Sequence, residues 1–233
     1  MAHKIIGLIG GLSWESSAEY YRLINERVRT RLGPLHSARC LMWSFDFAEI
    51  EALQHAGRWD DATGLMIEAA HRLRRGGAEI VLICSNTMHR MADTIQSALD
   101  VPLLHIADPT AERIRAAGLR SVGLLGTAFT MEQDFYRGRL AERYGLEVLT
   151  PDAVDRACVH RVIYDELVQG RIEPASRAAY QDIIAKLVTR GAEAIILGCT
   201  EIMLLVRPED SAVLLYDTTA IHAEAAVEIA LAT

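Results

Sequence analysis

The chain has 233 residues, enough for one large or two small domains with a sizeable core. A formal charge of −7 argues against nucleic acid or an anionic membrane surface as the main partner. Four cysteines without CxxC or finger spacing read as reduced thiols, and no apolar run approaches the ~20 residues of a membrane span, so a soluble cytoplasmic protein is expected.

Residues 5–9 read as a first strand and Gly10-Gly11-Leu12-Ser13 as the turn after it. The run from Lys4 to Gly11 has the apolarity of a signal core, but glycines interrupt it and Trp14-Glu15 stands where a cleavage site needs small residues. Ser13 is an N-cap for a helix over about 14–31, which Gly33-Pro34 stops. A strand over 40–45 follows, then a loop or short helix leading to Gln54, then a helix over 59–75 closed by Gly76-Gly77. A third strand ends at Cys84, a helix follows Asn86, and residues 101–106 form a fourth strand. The order then repeats. Strand 121–126, helix 131–144, strand 146–149, helices 155–168 and 176–190, a strand ending near Gly198, strand 213–216 and a last helix over 219–231 complete the chain.

The repetition extends to individual residues. Gly77-Ala78-Glu79-Ile80-Val81-Leu82-Ile83-Cys84-Ser85-Asn86-Thr87 aligns with Gly191-Ala192-Glu193-Ala194-Ile195-Ile196-Leu197-Gly198-Cys199-Thr200-Glu201, placing Ser85 opposite Cys199. Strands alternating with helices imply parallel sheets flanked by helices. The expected fold is therefore α/β, with two pseudo-symmetric domains and the active site between them. The first takes residues 1–106 plus 218–233 and the second residues 107–217.

Cys199 is the leading chemical candidate. It ends an apolar strand and precedes a helix start, where backbone amides would lower its pKa and favour thiolate. Cys40 and Cys158 lie on apolar faces, and Cys84 is expected to point away from any ligand. Asn86, Thr87 and Thr200 are short polar residues at helix starts, suited to holding a carboxylate. His89 reads as a structural histidine. The eight histidines lack metal-ligand spacing, so no metal is expected. Gly10-Gly11 and Gly126-Thr127 do not complete a dinucleotide fingerprint, no Walker motif is present, and a serine-hydrolase elbow is absent. The two lysines, Lys4 and Lys186, occupy a strand start and an amphipathic helix, neither suited to a pyridoxal phosphate Schiff base. No cofactor is expected.

Five segments taken together resemble the cofactor-independent aspartate/glutamate racemase family: Gly10-Gly11-Leu12-Ser13-Trp14-Glu15-Ser16, Asp46-Phe47-Ala48-Glu49-Ile50, Ser85-Asn86-Thr87-Met88-His89, Thr130-Met131-Glu132 and Gly198-Cys199-Thr200-Glu201. The resemblance covers essentially the whole chain. It implies two similar domains enclosing a small-molecule amino-acid substrate, a homodimer, and two catalytic groups on opposite faces of Cα, here Cys199 and Ser85. It implies substrate contacts from Leu12, Gln54, Asn86, Thr87, Thr127 and Thr200. Ser85 departs from the cysteine common at its position in the family, and Gln54 is neutral where the resemblance places an arginine in some aspartate-preferring relatives. Arg171 and Arg177 are candidates for binding a distal carboxylate. One-sided, Cys199-dependent decarboxylation or isomerisation and non-catalytic amino-acid binding are the alternative readings.

Overall fold

The computed structural model describes residues 3–232. By internal contacts the chain divides into two units, one running to Ile106 and resuming at His222, the other spanning Ala107–Ile221.

The first unit opens with β1 (Ile6–Gly10) and α1 (Trp14–Leu32), whose Ser13 cap accepts the Ser16 amide on its side chain. Next come β2 (Cys40–Ser44), α2 (Phe47–His55), α3 (Trp59–Arg75) and β3 (Ile80–Ile83). A 3-10 helix (Thr87–Met91) leads into α4 (Ala92–Ser97) and then β4 (Leu103–Leu104). The four strands are parallel, in the order β2-β1-β3-β4. Because side chains alternate along a strand, β3 supplies two cores. Ile80, Leu82 and Cys84 pack with Tyr20, Ile24 and Val28 of α1, while Val81 and Ile83 pack with Met66, Ala69 and Ala70 of α3. Each such fully buried aliphatic chain contributes roughly 1.5–3 kcal/mol.

The second unit begins with α5 (Ala107–Ala116) and β5 (Ser121–Gly126), followed by α6 (Ala128–Glu132) and α7 (Asp134–Tyr144). Then come β6 (Glu147–Leu149), α8 (Ala153–Asp165), α9 (Pro174–Thr189), β7 (Ala194–Gly198), α10 (Ile202–Leu205) and β8 (Leu214–Asp217). Its parallel sheet has the order β6-β5-β7-β8, the same pattern as the first. The last helix, α11 (Thr218–Leu231), brings the chain back, and Ala223, Ala226, Val227 and Ala230 join the α1 core of the first unit.

The repeat seen in the sequence has physical counterparts. Gly77 and Gly191 both take φ +103°, before equivalent strands. Glu79 accepts the Ile5 amide at 2.9 Å, and Glu193 accepts the Arg120 and Ser121 amides at 2.7 and 2.9 Å, so each carboxylate fastens the start of a first strand.

Three expected elements differ. The helix expected over 131–144 is two helices, because Gln133 adopts extended backbone (φ −95°, ψ 151°) between α6 and α7. The strand expected over 101–106 shrinks to two residues, since Pro102 carries no N–H and the Ile106 amide donates to His89 Nε2 instead of a strand. The helix expected after Asn86 starts as 3-10, for the same histidine captures the Ser85 carbonyl.

Candidate active site

In each sheet the chain leaves its first strand to one side and returns on the other. The topological switch points therefore lie between β1 and β3 and between β5 and β7, where open α/β sheets bind ligands beyond the strand C-termini. The candidate residues sit there. Leu12 follows β1 and Ser85, Asn86 and Thr87 follow β3 in the first unit; Thr127 follows β5 and Cys199 and Thr200 follow β7 in the second.

The first unit's turns are held tightly. Gly11 has φ +72°, and a Cβ there would stand 2.2 Å from the Phe45 carbonyl oxygen. Its amide donates to Ser17 Oγ at 2.8 Å, and Ser16 Oγ donates to the Cys84 carbonyl at 3.2 Å, tying the start of α1 to the residue before Ser85. Ser85 is half-buried, and its Oγ accepts the Met88 amide at 3.5 Å. Gln54, buried on α2, donates from Nε2 to Met88 Sδ at 3.0 Å, which brings it to the turn that carries Ser85. Asn86, Thr87 and Leu12 are buried.

His89 is structural. A carbonyl only accepts, so His89 Nδ1–H donates to the Ser85 carbonyl at 2.7 Å, leaving Nε2 to accept the Ile106 amide at 3.1 Å. Beside it, His222 donates from Nε2 to the Leu104 carbonyl at 2.9 Å and accepts Tyr20 Oη–H on Nδ1 at 2.7 Å. Burial, with help from His89, pushes the His222 pKa down to about 3. The Ser85 turn and the point where the chain re-enters the first unit thus rest on one buried histidine cluster, completed by His105 with its ring 4.6 Å from that of His89. Sequence reasoning missed this cluster, whose members are far apart along the chain.

In the second unit, Gly126 and Gly198 are register partners, and a Cβ on Gly126 would lie 2.7 Å from the Gly198 carbonyl oxygen. Two glycines let adjacent strand ends approach closely and set Thr127 and Cys199 on neighbouring turns. Thr127 caps α6, accepting the Thr130 amide at 3.3 Å. Cys199 is 9% exposed and continues the β7 face that packs with Tyr180 and Val159. Its Sγ–H donates to Glu201 Oε2 at 3.0 Å, and Thr200 Oγ1–H donates to the same oxygen at 2.8 Å.

The low thiol pKa expected for Cys199 is not found. Burial pushes it well above the ordinary range, the Glu201 charge and hydrogen bond add to this, and the Thr200 and Glu201 amides only partly oppose it. The helix beyond is a single four-residue turn, too short for the dipole that the sequence suggested. Glu201 itself, 2% exposed and two positions after the cysteine, is a site residue that the sequence pattern alone does not single out.

The other cysteines are core residues. Burial raises Cys84 and Cys40, and Cys158 packs against the second unit's core. Arg171 donates to the Asp165 carbonyl and Arg177 to Asp210 Oδ2 at 2.8 Å, so both guanidiniums are engaged within their own unit. Among the described residues no helix is long and apolar enough to cross a membrane.

A family model for Asp/Glu/hydantoin racemases matches residues 9–226. The chain belongs to that family. It is accordingly an isomerase of the racemase type, and its two helix-flanked parallel sheets are the family's two-domain α/β fold. The broad specificity amino-acid racemase RacX of Bacillus subtilis is 27% identical over 173 residues, 74% of each chain. A candidate Asp/Glu racemase from Yersinia pestis has a crystal structure that superposes with a TM-score of 0.92 at 54% identity, covering 98% of this chain and all of that one. An aspartate racemase homologue from Pyrococcus horikoshii OT3 superposes with a TM-score of 0.84 at 34% identity, covering 97% of this chain and 99% of that one.

Proposed function

We propose that the racemase interconverts the L and D forms of aspartate, glutamate or a related amino acid without pyridoxal phosphate, using Cys199 and Ser85 on opposite faces of Cα. The observation that carries this is the equivalence of the two turns. A thiol and a hydroxyl stand opposite each other in the aligned repeat, Cys199 one residue past β7 and Ser85 two past β3, each at its sheet's switch point. Cys199 removes the Cα proton and Ser85 returns one to the other face, acting as general base and acid. The resulting carbanion requires a neutralised α-carboxylate, and Asn86, Thr87, Thr127 and Thr200 supply short polar groups for it, with Leu12 and Gln54 completing the substrate contacts. The names among the relatives, broad specificity amino-acid racemase and aspartate racemase homologue, favour an amino-acid substrate.

A homodimer in the cytoplasm is part of the proposal. Trp14, Tyr21 and Leu32 recur at helical spacing on the outer face of α1 and are 70%, 54% and 42% exposed, an apolar stripe suited to a second copy. Light scattering at micromolar concentration reads the dimer directly. The activity is tested by incubating each enantiomer of the common amino acids in deuterium oxide without added cofactor. Chiral chromatography and proton NMR should record approach to a 1:1 mixture with deuterium at Cα. Release of carbon dioxide, or binding without Cα exchange, contradicts the proposal.

A further inference from the structure

We infer that Glu201 is the proton acceptor for Cys199, so that the working base is a thiol–carboxylate pair rather than a free thiolate. The inference deepens the proposed racemisation and rests on it. Three observations carry it. The Cys199 Sγ–H donates to Glu201 Oε2 at 3.0 Å, Thr200 Oγ1–H fixes that same oxygen at 2.8 Å, and the carboxylate is 2% exposed. Burying a carboxylate is unfavourable, and this one is oriented toward a thiol by its own neighbour in the chain. Tyr180, Cys158 and Tyr164 belong to the same core cluster as Cys199, and none of them carries a carboxylate.

The step balances. As Cys199 approaches the substrate, its S–H bond breaks and Glu201 Oε2 gains the proton. The sulfur then takes the Cα proton: the C–H bond breaks, a new S–H bond forms, and the electron pair stays on the substrate as carbanion. The negative charge that began on Glu201 ends on the substrate, and no net charge enters the site. A thiol held in its neutral form by burial can therefore still act as a base.

A merely electrostatic role predicts the opposite sign for one variant. Removing the Glu201 charge makes the Cys199 thiol more acidic, so Glu201→Gln should shift the pH midpoint of Cys199 alkylation by iodoacetamide downward, by roughly one unit or more. If Glu201 only raised the thiol's pKa, racemisation would improve with that shift. If it accepts the proton, kcat/KM should fall roughly a hundredfold or more while alkylation quickens. Glu201→Asp keeps the carboxylate but withdraws it by one methylene, and should recover part of kcat with KM little changed. Near-parent racemisation in Glu201→Gln, or an unchanged alkylation midpoint, overturns the pairing. Should Glu201→Gln fail to fold, Glu201→Asp at full parental kcat overturns it too. A parent protein that moves no Cα proton overturns the racemase reading and the base role of the pair with it, and a lowered alkylation midpoint then shows only that the Glu201 charge reaches the thiol.

Discussion

His222, in the buried histidine cluster beneath Ser85, gives the first unit a stability that depends on pH. His222 is fully buried, with Nε2 donating to Leu104 and Nδ1 accepting from Tyr20, and its pKa is about 3 against an unfolded value near 6.5. The folded state therefore refuses a proton that the unfolded chain binds. Stability is complete above about pH 6.5 and drains away as pH falls toward 3. Linkage over that window gives a loss from this residue of about 2 kcal/mol between pH 7 and pH 5. His222→Gln can keep both hydrogen bonds, amide nitrogen to Leu104 and amide oxygen to Tyr20, without a titratable group. Urea unfolding at pH 7, 6 and 5 should show the parent losing about 2 kcal/mol more than His222→Gln across the range. His89, His105 and the carboxylates act in both proteins and largely cancel in the comparison. Equal slopes in parent and variant would refute a neutral His222.

Three further outcomes follow from the geometry. Gly11→Ala places a Cβ against the Phe45 backbone at φ +72°, so thermal and urea unfolding should register a loss of roughly 2–5 kcal/mol, combining left-handed strain with a contact that cannot relax. Cys199→Ala should abolish racemisation and Cα exchange together, and bound substrate should slow alkylation of the parent's Cys199, as peptide mass spectrometry would record. Ser85→Cys, a change of little volume, should preserve or raise racemisation by giving the second face a thiol; a fall to the level of Ser85→Ala would count against a proton-transfer role at that position.

Much of the architecture was legible because it rests on short-range pattern. Apolar runs such as Ile80–Ile83 and Ala194–Gly198 mark strands buried on both faces, and the alignment of 77–87 with 191–201 foretold two equivalent sheets. The family could be named because its motifs lie in the turns after those strands. What was not legible depends on side-chain direction and on contacts distant in sequence. Cys199 looked like a thiolate because a helix start follows it; burial of the sulfur, with Glu201 turning back onto it, reverses that expectation. The shortened β4 and the 3-10 helix after Asn86 both arise from His89 bonding Ser85 and Ile106. Tyr20 and His222 meet across 202 positions, beyond any local periodicity.

The central claim is that Ser85 and Cys199 divide proton return and proton removal between the faces of Cα. Its most direct measurement is Ser85→Ala in deuterium oxide, with Cα exchange and enantiomer ratio followed together for each enantiomer. With Cys199 and Glu201 intact, one enantiomer should gain deuterium without inverting, provided the thiol exchanges with solvent before the carbanion is reprotonated. Racemisation should be suppressed by roughly a hundredfold or more. Racemisation at the parental rate in Ser85→Ala would contradict the account.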